Sequence, residues 1–288
     1  MDYKTTLSHR DQEPENGVLY IVATPIGNLS DISFRSINIL EKVSLIACED
    51  TRQTKKIMHK FGIENNLISF NKNNSAIKSS QIINKLKENK SIALVSDAGM
   101  PTICDPGEEL IRHSKTLGID IICIPGPCAA LTALVSSGFT SSSFIFEGFL
   151  PRKKIEREKI IIDISTNEKT TVLFEAPHRL KQLLGELKKY CGGTREIEIA
   201  RELTKKYEEH IGPDIDSAIK FFDQKDIKGE FTIVIKGIDS VKNTFFNEKA
   251  LQNDLNDLIK AGLTHSAASK YLAKKNKISK RIIYNLSK

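Results

Sequence analysis

The sequence of 288 residues has no tryptophan, only five cysteines and no CxxC pair. It contains no HExxH motif and no zinc-ligand spacing of cysteine and histidine, so no structural metal is expected. The cysteines are scattered and most stand in apolar stretches, which predicts reduced, mostly buried thiols. No run of eighteen apolar residues occurs, which argues against a membrane span. Residues 1–16 lack the apolar core of a secretory signal, so we expect a disordered leader and a cytoplasmic protein.

Three common catalytic motifs are also missing. Without GxxxxGK[ST], a P-loop nucleotide hydrolase is disfavoured. No GxGxxG follows the first predicted strand, so the usual dinucleotide fingerprint is absent. A GxSxG element with a serine triad is not evident either.

Acidic residues are scarce in the C-terminal segment. Residues 241–288 hold ten basic and three acidic residues, which accounts for the whole net charge of +7. A neutral body with a cationic end favours a polyanionic partner such as nucleic acid. On charge alone, a solvated lysine-rich helix explains the segment equally well.

The same C-terminal segment has helical patterning. An apolar stripe of helical spacing ends at Gly262, and Thr264 and Ser279 can cap two further helices. Three short helices with a basic last pair predict a helix-turn-helix-like module over residues 241–288. The alternative is a helical extension that packs on the body of the protein or on a second subunit.

The rest of the chain predicts two α/β domains. In residues 17–127, short β-branched runs alternate with helical patterns, which predicts a mostly parallel sheet. Its predicted strands are Val18–Thr24, Val43–Cys48, Leu67–Phe70, Ile92–Ser96 and Ile119–Ile124. Residues 128–240 have more polar linkers and predict a mixed sheet. Its predicted strands are Ser143–Phe149, Thr170–Glu175, Ile197–Glu202 and Phe231–Ile235.

Four loops rich in glycine, proline and small residues follow predicted strands, at residues 24–28, 96–101, 125–130 and 175–179. Ligands of open parallel sheets bind beyond the carboxyl ends of the strands. One such loop would be no more than a tight turn. Four of them, in both predicted domains, indicate a cleft between the domains. Glu49 and Asp50, beside Arg52 at another strand end, are either helix-capping groups or a polar wall beside a substrate.

The motifs in these loops and beyond carry a resemblance to a known family. In chain order they are LYIVATPIGNLSDI (19–32), CEDTR (48–52), LVSDAGMP (94–101), DPG (105–107), PGP (125–127), SGF (137–139), GFLP (148–151), EAPHRL (175–180), RELTK (201–205) and KGEF (228–231). Together they resemble the ribosomal RNA small subunit methyltransferase I family of the tetrapyrrole methylase superfamily. Met100, Cys104 and Thr140 stand where that family usually has Thr, Ser and Pro, which bears on details of the pocket.

The resemblance implies an S-adenosylmethionine cleft between two α/β domains, and a homodimer. It implies methylation of the ribose 2′-oxygen of a cytidine in the decoding region of 16S ribosomal RNA, so the RNA or the ribosomal subunit is the expected partner. Carried over by motif, the cofactor-binding residues are Pro25, Ile26, Asp97, Met100, Cys128, Ala129, Ala176, Leu203 and Glu230. Asp97 is expected to accept hydrogen bonds from the cofactor and to complement its charge, or else to cap its own loop.

The implied reaction also points to candidate catalytic and RNA-binding residues. Alignment can supply much of the catalysis, but a ribose hydroxyl is a weak nucleophile that a base or a positive neighbour would help. The candidate catalytic residues are Glu49, Asp50, His178, Glu202 and Lys205; His178 can instead cap a helix. The candidate RNA-binding residues are Arg52, Arg179, Lys274, Lys275, Lys280 and Arg281.

Two other functions remain open from the sequence. One is carbon methylation of a corrin or porphyrin ring by another enzyme of the superfamily. Such a substrate would not need a basic tail, and the loop Thr24–Asn28 is unlike the Gly-rich loop typical of those enzymes. The other is a non-catalytic RNA-binding module that kept the fold.

Removal of the basic segment separates the roles of the two parts of the chain. Truncation after Gly237 should spare cofactor binding and weaken RNA binding, because the cationic residues 241–288 would add salt-dependent affinity. Titration of RNA at two salt concentrations measures the effect. Unchanged RNA affinity after truncation would count against an RNA-binding tail.

Overall fold

A computed structural model describes residues 13–238, 248–276, 283, 284 and 286. The chain divides after Gly237 into two compact units, the first with two β-sheets and the second helical. Most of the predicted leader, residues 1–12, lies outside the described residues. Among the described residues of the leader, Glu13 forms an ion pair of 2.6 Å with Arg35. No helix in the described ranges combines the length and the apolar character needed to cross a bilayer.

The first sheet has five parallel strands in the order β3-β2-β4-β1-β5. The strands are β1 (Leu19–Val22), β2 (Leu45–Cys48), β3 (Leu67–Ser69), β4 (Ile92–Val95) and β5 (Ile121–Ile124). All residues of the two central strands β1 and β4 are buried. Their continuous apolar runs are those expected of strands covered on both faces, and the predicted parallel sheet is confirmed.

Helices cover both faces of this sheet. They are α1 (Phe34–Lys42), α2 (Thr51–Phe61), α3 (Ser75–Lys87) and α4 (Glu108–Thr116). Tyr20 packs with Ile39 of α1 and with residues of α2 in one apolar cluster. Leu19, the neighbouring residue, packs with Ile82 of α3 and Leu110 of α4 in a second cluster. Successive residues of β1 thus point to opposite faces, as the pleat requires.

Local signals set the ends of these helices. The Ser33 side chain accepts a hydrogen bond from the backbone N–H of Ser36 and begins α1. Asp50 does the same for the N–H of Arg52 at the start of α2. Helix α2 ends at Gly62, whose φ of +66° is the left-handed conformation that glycine adopts without a steric penalty.

The second sheet is mixed, with the order β6-β7-β10-β8-β9. Its strands are β6 (Phe144–Phe149), β7 (Thr170–Glu175), β8 (Ile197–Arg201), β9 (Glu209–Ile211) and β10 (Phe231–Ile235). Only β6 and β7 pair in parallel, and the other three pairs are antiparallel. The predicted mixed sheet is confirmed, and with it the two α/β halves. The edge strand β9 was not predicted, because three residues with the pattern Glu-His-Ile carry too little apolar periodicity.

Four helices pack on the second sheet. They are α5 (Ala129–Ser136), α6 (Lys154–Thr166), α7 (Pro177–Cys191) and α8 (Ile215–Asp223). Helices α6, α7 and α8 bury one face in the largest apolar cluster of the described residues. Helix α5 covers part of the opposite face through Ala130, Ala133 and Leu134. The rest of that opposite face is free to line a cavity.

The second unit contains α9 (Glu248–Lys260) and α10 (His265–Asn276). Leu255 of α9 and Leu272 of α10 are buried together with Ile283. The predicted cap is present, since the N–H of Ala267 donates to Oγ1 of Thr264 over 3.2 Å. The third predicted helix begins at Ser279, which lies outside the described residues.

The prediction that most cysteines are buried is wrong. All five thiols are free, but only Cys48 is buried, while Cys104 and Cys123 are exposed. Cys123 belongs to the edge strand β5, and Cys104 stands in a loop with φ +70°. An apolar sequence neighbourhood does not reveal that a strand lies at the edge of a sheet.

The Thr264 cap predicts the local stability of α10. Thr264→Ala removes the acceptor for the Ala267 amide, so the helix should lose about 1 kcal/mol and its amides should exchange about fivefold faster. Hydrogen exchange by mass spectrometry measures this. Thr166→Ala is the control, because its hydroxyl donates to the Asp163 carbonyl at the end of α6 over 3.3 Å. Equal α10 exchange in all three proteins would contradict the cap.

Candidate functional site

A cavity of about 450 Å³ lies where loops of the two α/β halves meet. The loops after β1, β2, β4 and β5 of the first sheet reach it, as do the end of β6, the loop after β7 and the start of β10. The lining residues are Ile26, Glu49, Asp97, Ala98, Gly99, Met100, Ile103, Cys104, Asp105, Cys128, Ala129, Phe149, Phe174, Glu175, Ala176, Pro177, Gly229, Glu230, Phe231 and Thr232. A site at the carboxyl ends of parallel strands is where open α/β sheets bind ligands.

The loops after β1 and β4 are tied together by backbone hydrogen bonds. The N–H of Thr24 donates to the carbonyl of Gly99 over 2.9 Å, and the N–H of Gly99 donates to the carbonyl of Thr24 over 3.0 Å. The Ser96 hydroxyl adds a bond of 3.1 Å to the same Gly99 carbonyl. Gly99 has φ +79°, a conformation that favours glycine, so this wall of the cavity is backbone held in a fixed shape.

A close contact between two loops joins the two halves beside the cavity. A Cβ atom added to Gly27 would lie 2.5 Å from Cγ of Lys205 and 2.7 Å from Oγ1 of Thr204. The N–H of Asn28 donates to the same Thr204 oxygen over 3.0 Å. Only glycine fits at position 27, and we call this contact between residues 27–28 and 203–205 the seam.

The seam loop on the second half has an unusual backbone. Glu202 and Thr204 both have positive φ values, +53° and +64°, although neither is glycine. Hydrogen bonds hold them: the N–H of Glu202 donates to the Glu230 carbonyl over 3.0 Å, and the N–H of Thr204 donates to the Glu208 carboxylate over 2.6 Å. Such strained residues persist where their surroundings fix them, commonly at functional sites.

Most residues expected to bind the cofactor come together in the cavity. Seven of the nine line it, namely Ile26, Asp97, Met100, Cys128, Ala129, Ala176 and Glu230. Pro25 and Leu203 do not. Leu203 is buried directly behind the wall, in a cluster with Ile26, Cys128 and Ala129, and Pro25 is buried beside Ile26. These two support the wall from behind.

Five acidic residues line the cavity, and three of them, Glu49, Asp97 and Asp105, belong to loops of the first sheet. Partial burial raises the pKa of Asp97, and the Asp50 N–H opposes this by donating to Oδ1 of Asp97 over 2.9 Å. Burial and the neighbouring Asp97 carboxylate raise the pKa of Glu49. Burial, and then the nearby Glu49 carboxyl, raise the pKa of Asp105 to about 6. The wall is therefore acidic and includes a group that titrates near neutrality.

The positive charge of Lys72 partly offsets the negative charge of Glu49 and Asp105. Lys72 lowers the pKa of both Glu49 and Asp105 and thus offsets part of their mutual repulsion. Its Nζ donates to the Cys104 carbonyl over 3.3 Å, next to Asp105. Within the described ranges, no group of three or more His, Cys, Asp or Glu residues is arranged to hold a metal ion.

Of the five candidate catalytic residues, Glu49 alone lines the cavity. Asp50 caps α2 and pairs with Arg52 over 2.6 Å, and the hydrogen bonds from Arg52 lower the pKa of Asp50 to about 2. His178 is exposed on the first turn of α7. Neither Asp50 nor His178 is placed to take a proton inside the cavity.

Glu202 and Lys205 do not line the cavity but are connected to it by the ion pair between Lys205 and Glu230. Nζ of Lys205 lies 2.9 Å from Oε1 of Glu202 and 2.8 Å from Oε2 of Glu230, at the cavity rim. Burial alone would lower the pKa of Lys205, but the hydrogen bonds to Glu230 and Glu202 outweigh it and the pKa is raised. Lys205 is therefore a fixed cation that holds two carboxylates, and it is unsuited to accept a proton.

The expected RNA-binding residues differ in exposure. The Arg52 side chain is 86 % exposed, although it pairs with Asp50. Arg179 is 15 % exposed, lies 3.3 Å from Glu175, and donates to the Leu150 carbonyl over 2.7 Å. This geometry favours a structural role for Arg179 over a phosphate contact.

The remaining expected RNA contacts belong to the basic segment. Lys275 is exposed on α10. Lys280 and Arg281 lie outside the described residues, as does the side chain of Lys274.

Among the lining residues that were not foreseen as functional, Asp105 and Phe149 have the most bearing on the chemistry of the site. Each stands in a short motif, DPG at 105–107 and GFLP at 148–151, that contributes to the resemblance. For Phe149, the available signal was its position at the end of a predicted strand. For Asp105, no sequence pattern indicates that its carboxyl group lies beside that of Glu49.

Comparisons with known proteins agree with this architecture. Residues 18–218 match the family model described as Tetrapyrrole (Corrin/Porphyrin) Methylases. The chain is 42% identical over 271 residues to a protein of Synechocystis named ribosomal RNA small subunit methyltransferase I, covering 94% of this chain and 97% of that protein. It is 41% identical over 273 residues to the Bacillus subtilis protein of the same name, covering 93% of each.

Solved structures show the same fold at lower sequence identity. The crystal structure of uroporphyrin-III-C-methyltransferase from Thermus thermophilus superposes with a TM-score of 0.54 and 16% identity, covering 78% of this chain and 96% of that chain. A likeness at this identity concerns the fold alone. Because the family model spans most of the chain and the relatives above match it nearly end to end, the chain belongs to the tetrapyrrole methylases and, among them, to the ribosomal RNA small subunit methyltransferase I family.

Proposed function

We propose that this chain is an S-adenosylmethionine-dependent methyltransferase that methylates the ribose 2′-oxygen of a cytidine in the decoding region of 16S ribosomal RNA. The observation that carries the proposal is the acidic, backbone-walled cavity between the two sheets, in a chain 41–42% identical to proteins named for this activity. Two neighbouring carboxyl groups inside the cavity, those of Glu49 and Asp105, favour catalysis over RNA binding alone.

The cavity fits the proposed cofactor. Ile26, Met100 and Ala129 provide apolar walls for a nucleoside and a thioether chain. The Asp97 carboxylate complements a ligand with a positive sulfonium and an ammonium group. When bound, S-adenosylmethionine supplies an electrophilic methyl group on its sulfonium sulfur. Gly99 and Gly229 let ligand atoms approach the backbone closely at two points of the wall.

The acidic wall also supplies the proton acceptor. A ribose 2′-hydroxyl must lose its proton as its oxygen forms a bond to carbon. Glu49 and Asp105 both line the cavity, lie within hydrogen-bond reach of each other, and have raised pKa values. Asp105 is ionised above about pH 6, and the two carboxyl groups can share one proton. We assign the base to this pair, with Glu49 as the member that touches the substrate.

The partners follow from the rest of the molecule. Lys270 and Lys275 are exposed on α10 and can add RNA affinity through phosphate contacts. We also propose a homodimer. Leu131 and Val135, one turn apart on α5, are 50% and 75% exposed, so this helix has an apolar face suited to a second subunit.

Asp97 tests the cofactor part of the proposal. Asp97→Asn removes the negative charge that would face the cationic ligand, so affinity for S-adenosylmethionine should fall about tenfold or more. Isothermal titration calorimetry measures the dissociation constant, and the thermal midpoint checks that the fold persists. Asp163→Asn, at an exposed position of α6 outside the cavity, should bind as the wild type does. An unchanged affinity of the Asp97 variant would rule out this contact.

The pH dependence tests the proposed base. Because the carboxylate form is needed, the single-turnover methylation rate of small ribosomal subunits should fall as pH drops through about 6, the pKa of Asp105. Glu49→Gln should lower the plateau rate about 10–100-fold. It should also move the midpoint to lower pH, because a negative neighbour that raises the Asp105 pKa is gone. A profile identical to that of the wild type would remove Glu49 from the chemistry.

A further inference from the structure

Phe149 places an exposed aromatic ring on the wall of the cavity. It is the last residue of β6 and is 52% exposed, in a concave site rather than on the outer surface. Single exposed apolar residues are ordinary on a protein surface. A phenylalanine that lines a binding cavity is different, because a ligand can cover it.

An irregularity in β6 is what turns the ring toward the cavity. Phe146 pairs with Val172, Gly148 with Leu173 and Phe149 with Phe174, so Glu147 is one extra residue in the strand. Such a bulge changes which face the following side chains occupy. In a regular strand, residues three positions apart point to opposite faces of the sheet, so Phe149 and Phe146 would lie on different faces without the extra residue. With it, Phe146 and Phe149 share the face that carries the cavity.

Neighbouring residues fix the ring. The centroids of Phe149 and Phe174 lie 5.7 Å apart at an interplanar angle of 60°, and those of Phe174 and Phe146 lie 5.1 Å apart at 71°. These are edge-to-face contacts, which hold the ring and leave part of its surface free. The end of β6 also lies against the loop that carries Asp105, since a Cβ atom added to Gly148 would come within 2.8 Å of Sγ of Cys104.

The proposed reaction brings to the cavity a nucleotide that can cover the exposed face of the Phe149 ring. A nucleotide whose ribose reaches the Glu49–Asp105 pair must leave the RNA stack, and its base loses its stacking partners. Proteins that bind unstacked nucleotides replace those partners with aromatic side chains. We propose that Phe149 is the stacking platform for the base of the nucleotide being methylated. This inference rests on the proposed function and adds the subsite that receives the base.

The test compares the steady-state kinetics of Phe149 variants on small ribosomal subunits. Phe149→Leu keeps an apolar side chain but has no flat face, so kcat/KM for the subunit should fall about tenfold. Phe149→Tyr should restore most of that loss. Affinity for S-adenosylmethionine, measured by calorimetry, should stay within about twofold of the wild type in both. Phe34→Leu is the matched control, because Phe34 is 93% exposed and does not line the cavity.

The possible outcomes distinguish stacking of a base on Phe149 from a role of this ring in cofactor binding or in folding. Equal kcat/KM in the Leu variant and the wild type would overturn the proposal, as would a tenfold loss of S-adenosylmethionine affinity, which would assign the ring to the cofactor. If Phe149→Leu does not fold, Phe149→Met gives the same comparison with a flexible side chain of similar size. Absence of methyl transfer by the wild type would instead refute the proposed function itself.

Discussion

The close approach of two loops at Gly27 is the constraint on which the site depends. The first sheet contributes the loops after β1, β2, β4 and β5, and the second contributes the loop after β7 and the start of β10. These walls enclose a cavity only if the halves meet closely. At the seam a Cβ on residue 27 would come within 3 Å of three atoms of residues 203–205, two in side chains and one the Leu203 carbonyl oxygen, so only a residue without a side chain lets the loops meet there. The left-handed residues Glu202 and Thr204 give the opposing loop the shape that this contact needs.

The charges of the site follow from that enclosure. Glu49 and Asp105 lie 56 positions apart in the sequence, and the first sheet brings them to one edge. Partial burial and mutual repulsion then raise their pKa values, while Lys72 offsets part of that rise. On the other side of the seam, Lys205 forms ion pairs with both Glu202 and Glu230. A cationic cofactor and a weakly acidic hydroxyl are ligands suited to such a wall.

The regular elements could be predicted because their signals are local. The β-branched runs of β1 and β4, the cap at Thr264, and the Gly and Pro loops at strand ends all correspond to features of the structure. The roles of other side chains could not be predicted, because they depend on partners distant in sequence. Arg179 is a basic residue in a loop motif, yet it faces inward to Glu175. The ring of Phe149 reaches the cavity through a bulge that no residue pattern in β6 announces.

The location of the transferred methyl group is the most direct test of how this cavity works. The full chain is incubated with isotope-labelled S-adenosylmethionine and small ribosomal subunits that lack the modification, and the RNA is digested to nucleosides for mass spectrometry. The expected result is one label per subunit, on the ribose of a cytidine. Label on a base, or no label in RNA while a tetrapyrrole is methylated under the same conditions, would contradict the assignment.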